Sequence, residues 1–122
     1  MSTPVGPYSP IVRAGPWLIC SGQLGLRSDS DPPALVEGGA PAQLAQALTN
    51  AGDLLAGAGA TREHVVKTTV FAVDLAEAAE LNRTYLAFFG DHRPARSMVG
   101  VAALPMGAAV EVEVWAYLGE AG

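Results

Sequence analysis

The sequence has little with which to build a metal site or a nucleic-acid surface. It holds one cysteine, Cys20, and two histidines, His64 and His92, in 122 residues. A single thiol makes no internal disulfide, and three such residues far apart make no His/Cys cluster, so no metal and a reducing, intracellular setting are expected. Basic residues are also scarce: seven Lys and Arg against twelve Asp and Glu leave a net charge of -5 and a pI near 4.8. A surface of that sign is poorly suited to neutralising phosphates, so nucleic acid is not an expected partner. Residues 1–20 lack the charged start, unbroken apolar run and small-residue cleavage site of a secretory signal, which points to a cytoplasmic location. The uncharged run Met98 to Val110 falls short of the ~20 residues that cross a bilayer, and Gly100, Pro105 and Gly107 interrupt it, so no membrane role is expected.

What is present suits one globular domain spanning 1–122. Half of the residues are hydrophobic and 16% are charged. A chain of this length buries about two thirds of its unfolded surface without staples. The apolar content exceeds what a lone domain needs, so self-association is expected.

Turn residues at Gly6-Pro7, Ser9-Pro10 and Gly15-Pro16 punctuate the block Pro4 to Gln23. They leave Ile11 to Ala14 and Trp17 to Cys20 as two short strands of a hairpin. Gly25 to Ala40 reads as a surface loop. From Pro41, residues Leu44, Ala47, Leu48, Ala51, Leu54, Leu55 and Ala58 recur at helical spacing, with Gln43, Gln46, Asn50 and Asp53 facing away and a stop at Gly57 to Gly59. Those glycines follow a helix and complete no dinucleotide fingerprint. His64 to Val73 is β-branched and apolar on both faces, as in a central strand. Asp74 and Glu77 have capping-box spacing before a second helical stripe, Ala78, Leu81, Tyr85, Phe88 and Phe89, which stops at Gly90. Asn82 lies close to that stripe.

Strands around Arg96 to Ala102 and Val110 to Leu118 follow. In the last, Val110, Val112, Val114, Ala116 and Leu118 share one face, and Glu111, Glu113, Trp115 and Tyr117 the other. Two helices with one apolar stripe each cover one face of a sheet; the second face then needs a partner. The pattern predicts an α+β fold, a mixed sheet with two helices packed on one face.

A nucleophile drawn from Cys20, Ser21 or Ser97 with His64 or His92 as base lacks supporting spacing. Cys20 reads better as a core residue and His64 as a surface one. Arg96 carries more, because a guanidinium offers a planar fork to a carboxylate and stays charged when partly desolvated. Joined through the Leu104 to Ala109 loop, its strand and the last one are expected to bring Arg96 and Glu111 near each other in the interior. A structural salt bridge from Arg96 to Glu111 or Glu113 and a carboxylate-binding site both fit that placement.

GPYSP (Gly6 to Pro10), SGQ (Ser21 to Gln23), VVKTTVF (Val65 to Phe71), Asn82 with Tyr85, PARS (Pro94 to Ser97) and LP followed by VEVE (Leu104-Pro105, Val110 to Glu113) occur in order. Together they resemble the RidA (YjgF) family of reactive-intermediate deaminases over nearly the whole chain, PARS with the spaced VEVE being the most specific part. The resemblance implies a chorismate-mutase-like α+β fold and a homotrimer with sites in clefts between subunits. It implies hydrolysis, without metal or organic cofactor, of 2-imino and 2-enamino acids such as 2-aminoacrylate to 2-keto acids and ammonia. By matching position, Arg96 binds the substrate carboxylate, Glu111 activates water, and Tyr8, Ser21 and Asn82 line the cleft.

The chain departs from the family's pattern at Met98, where a cysteine is common, at Gly100 and at Arg93. Met98 and Arg93 are therefore expected to alter the cleft's size and charge, with Met98 counted among the substrate-binding positions. The competing functions are a non-catalytic binder of keto or amino acids on the same cleft, and a ribonuclease or translation inhibitor, which the acidic pI disfavours.

Overall fold

A computed structural model describes residues 6–119; Pro4 and Val5 of the turn-rich block, and both ends of the expected 1–122 span, lie outside them. The hairpin forms as expected from β1 (Ile11–Ala14) and β2 (Trp17–Leu24), joined by the two residues Gly15 and Pro16. The second strand runs four residues beyond Cys20, where the sequence pattern ends. The remaining elements are α1 (Gly39–Gly57), β3 (Val65–Ala72), α2 (Ala78–Phe89), β4 (Ala95–Gly100) and β5 (Val110–Tyr117).

The five strands make one mixed sheet in the order β1-β2-β5-β3-β4. Only β3 and β4 run parallel. A parallel pair needs a crossover, and α2 supplies it. The strand read as central, β3, indeed lies inside the sheet, between β5 and β4. Alternation in β5 sends Val110, Val112, Val114 and Ala116 into the core, where they meet Leu44, Leu48 and Leu55 of α1 and Leu81, Tyr85 and Phe89 of α2. The helices thus cover one sheet face. The opposite face stays open, with Trp17 edge-on to Trp115 at 6.0 Å and to Tyr117 at 4.9 Å between ring centroids. Trp115 is 39% exposed there, an unusual position for so large an apolar ring in a lone chain.

Two local expectations are corrected. Gln43 and Asn50 do not face away from the core; both are buried. Asn50 Nδ2 donates to the carbonyls of Leu24 (3.3 Å) and Leu26 (3.0 Å), and Gln43 Oε1 accepts from the Ala109 amide (2.8 Å). These amides reach backbone groups at the end of β2, just beyond it and just before β5, and so tie the loop after β2 and the loop before β5 to α1. The capping box expected at Asp74 and Glu77 is also different. Asp74 accepts from the Ala76 amide at 3.0 Å and caps a three-residue 3₁₀ turn, Leu75–Glu77, while α2 itself starts at Ala78 without a side-chain cap.

Candidate active site

β2 and β5 build a pocket of about 400 Å³ lined by Tyr8, Ser21, Gly22, Leu24, Pro105, Glu111 and Glu113. Its position follows from an irregularity in β2: the register with β5 shifts between Cys20 and Gln23. Such a bulge re-aims the residues beside it. Ser21 Oγ donates to the Ser9 carbonyl at 2.6 Å, and the Ser21 amide donates to the Pro10 carbonyl at 2.9 Å. These two bonds hold the segment before β1 against β2, which puts Tyr8 at the pocket's edge.

Glu111 projects from β5 toward this pocket, across from Gly22. A Cβ built at Gly22 would stand 1.8 Å from Glu111 Oε2, so the carboxylate occupies space that only glycine leaves free. Burial raises the Glu111 pKa above the ordinary carboxylate value, and the neighbouring charge of Glu113 raises it further. A carboxyl raised in this way is, once ionised, a stronger base.

Arg96 lies elsewhere. In the parallel register of β3 with β4 its Cα partner is the fully buried Thr68, so Arg96 faces the helix side of the sheet, at the exposed edge strand. Its Nη1 donates to Asn82 Oδ1 at 2.8 Å, and its Cζ sits 4.8 Å from the centroid of the Tyr85 ring. Glu111 pairs with Phe71 of β3 and shares the open face with Glu113. The expectation that Arg96 and Glu111 meet inside the chain is therefore corrected: they occupy opposite faces of one sheet, and no ion pair joins them among the described residues. The sequence-predicted residues fall into two groups, Tyr8, Ser21 and Glu111 around the pocket, and Arg96 with Asn82 at the sheet edge. Met98, paired with Val70, faces the helix side and packs, partly buried, on the core.

The other candidates have structural partners. Burial pushes the Cys20 thiol up to about 11, which leaves it a poor nucleophile. His64 Nδ1 accepts from the Thr61 amide at 3.0 Å, and His92 Nε2 lies 2.7 Å from the Val65 carbonyl oxygen. Lys67 Nζ donates to Ser97 Oγ at 2.8 Å. Arg93 donates to the carbonyls of Gly90 and His92, where it closes the end of α2. No group of three His, Cys, Asp or Glu residues among the described ones is placed to hold a metal ion. Sequence reasoning did not single out Gly22, Leu24 or Pro105 as pocket walls. The signal for Gly22 was its place beside Ser21 in the SGQ motif, but its close approach to Glu111 depends on the pairing of β2 with β5.

Comparison with known proteins gives a consistent picture. The model of a family described as Endoribonuclease L-PSP matches residues 1–118. A mouse protein named 2-iminobutanoate/2-iminopropanoate deaminase is 41% identical over 115 residues, 94% of this chain and 84% of that one. A RutC family protein of Aquifex aeolicus is 41% identical over 113 residues, 91% of this chain and 88% of that one. Among solved structures, RidA from the Antarctic bacterium Psychrobacter sp. PAMC 21119 superposes with a TM-score of 0.87 at 39% identity, covering 94% of this chain and 91% of that one. The YjgF gene product of E. coli gives 0.86 at 38% identity, covering 93% and 90%.

Proposed function

The chain belongs to the Endoribonuclease L-PSP family, which is the RidA (YjgF) family, and from that membership we propose that it hydrolyses 2-imino and 2-enamino acids to 2-keto acids and ammonia. Relatives at about 40% identity bear the deaminase name, which supports deamination of this type. The observation that carries the reading is a pair of prepared half-sites, a stacked guanidinium with donors to spare and a half-buried carboxylate of raised pKa beside a pocket.

In this reading the substrate carboxylate sits on the Arg96 fork. An enamine first tautomerises to its imine. Glu111 takes a proton from a water as the water oxygen bonds to the imine carbon, giving a tetrahedral carbinolamine. Glu111 passes that proton to the nitrogen to complete the neutral carbinolamine, then moves the hydroxyl proton to the same nitrogen as the C–N bond breaks; ammonia leaves and the hydroxyl oxygen becomes the keto oxygen. A positioned general base contributes ~10²–10⁴-fold. The charge-assisted bonds to the carboxylate contribute ~1.5–3 kcal/mol each. No step calls for a metal or an organic cofactor.

Because Arg96 and Glu111 face opposite sides of one sheet, each site takes its guanidinium from one chain and its carboxylate from another. A homotrimer with sites between subunits meets this need and also covers the open face that bears Trp115 and Tyr117. Tyr8 and Ser21 line the Glu111 side, and Asn82 orients the Arg96 side.

Ammonia release from imines generated in situ from several amino acids tests the function. Wild type should release ammonia faster than the uncatalysed reaction. Arg96→Ala and Arg96→Lys should both lose that acceleration, since lysine lacks the fork. Binding of 2-keto acids without turnover in wild type would leave a binding protein. RNA cleavage dependent on Arg96, without ammonia release, would favour the ribonuclease reading.

A further inference from the structure

Arg96 is an exposed cation on an edge strand, and a free arginine there would sample many rotamers. Instead it is held on two sides. Asn82 and Tyr85 stand three residues apart on α2 and therefore on the same helix face. Asn82 Oδ1 accepts from Nη1, and the Tyr85 ring lies under the guanidinium carbon. The ring is itself fixed: Tyr85 is 5% exposed, and its hydroxyl and the Thr68 Oγ1 are hydrogen-bonded at 2.7 Å. Thr68 is in turn the cross-strand partner of Arg96, so the chain of contacts closes on itself. Burial raises the Tyr85 pKa, so the ring stays a neutral phenol, whose face attracts a cation.

We propose that Tyr85 is a positioning residue for substrate: its ring face holds the Arg96 guanidinium so that the donors not engaged by Asn82 stand ready for a carboxylate. This rests on the carboxylate-binding role given to Arg96 above. Preorganising the fork removes the entropy cost of ordering a long side chain at the moment of binding. Its effect therefore appears in affinity and KM, while kcat, set by the water and Glu111, stays close to wild type.

The test replaces Tyr85 with phenylalanine and then with mono-, di- and trifluorinated phenylalanines, which keep the ring's shape and progressively drain its face of negative potential. KM for an imino acid and Kd for 2-oxobutanoate, measured by calorimetry, are compared across the series. Tyr85→Phe, which gives up the hydroxyl bond to Thr68 but keeps the ring face, is the reference from which the series is read. Both constants should rise steadily with fluorination to a total of about 2- to 30-fold, with kcat nearly constant. Flat KM and Kd across the series, or a fall in kcat alone, would overturn the proposal. Wild type that binds 2-oxobutanoate but releases no ammonia would sink the deaminase reading while the Kd series still decides the role of Tyr85. Wild type that binds no 2-oxobutanoate would overturn both.

Discussion

Replacing Gly22 by alanine isolates the role of Glu111 without touching Glu111. The added Cβ would stand 1.8 Å from Oε2 and 2.7 Å from Cδ, whereas real Cβ atoms essentially never come within 3.0 Å of a neighbour. The carboxylate must retreat by about 1 Å or more. Misplacement of a reacting group on this scale costs on the order of 10²-fold in rate, and complete loss of the general base ~10²–10⁴-fold. Stability should move in a different direction. The obstructing atoms belong to the flexible end of a half-buried side chain, and Gly22 is not among the glycines of positive φ, so alanine suits its backbone. Loss of glycine's freedom in the unfolded chain stabilises by ~0.4–1 kcal/mol where the conformation is compatible. The expected outcome is a melting temperature equal to or slightly above wild type, with kcat for ammonia release down roughly 100-fold. Wild-type kcat in the Gly22→Ala protein would refute the placement of Glu111 as the base.

Three further outcomes follow from the titration of Glu111 and Cys20. Because the folded Glu111 pKa is raised, the folded state binds its proton more tightly than the unfolded state does; this stabilises below the ordinary carboxylate value and is lost as pH rises through the raised value. Glu111→Gln should therefore melt above wild type at neutral pH, with the difference vanishing in acid, and equal melting temperatures at neutral pH would contradict the desolvation. Glu113→Gln should move the acid limb of kcat/KM to lower pH, since Glu113 is the second cause of the shift. Cys20, with its thiol pushed up to about 11, should resist a thiol reagent at pH 8 in the native protein and react at once in denaturant.

Much of the fold was legible because it is written locally. The alternation from Val110 to Tyr117 and the stripe from Leu44 to Leu55 each state a face, and each face is buried as stated. Gln43 and Asn50 depart from the helical pattern because their partners are backbone groups 24 to 66 residues away, at the end of β2, just beyond it and just before β5, which no period reveals. The separation of Arg96 from Glu111 is a matter of register. Side chains alternate strictly along a strand, so whether Arg96 faces Thr68 or Thr69 decides its side of the sheet, and the parallel pairing of β3 with β4 leaves no local mark. The residue types of the candidate site were readable, and the resemblance implied sites between subunits; that Arg96 and Glu111 lie on opposite faces of one sheet was not readable.

That arrangement is the central claim, and subunit mixing tests it directly. Arg96→Ala and Glu111→Gln proteins, each inactive alone, are unfolded together in equal amounts, refolded and assayed for ammonia release. If each site draws its guanidinium and its carboxylate from different chains, random assembly restores about a quarter of the wild-type sites. A mixture as inactive as its two components, with both variants shown to co-assemble, would contradict the account.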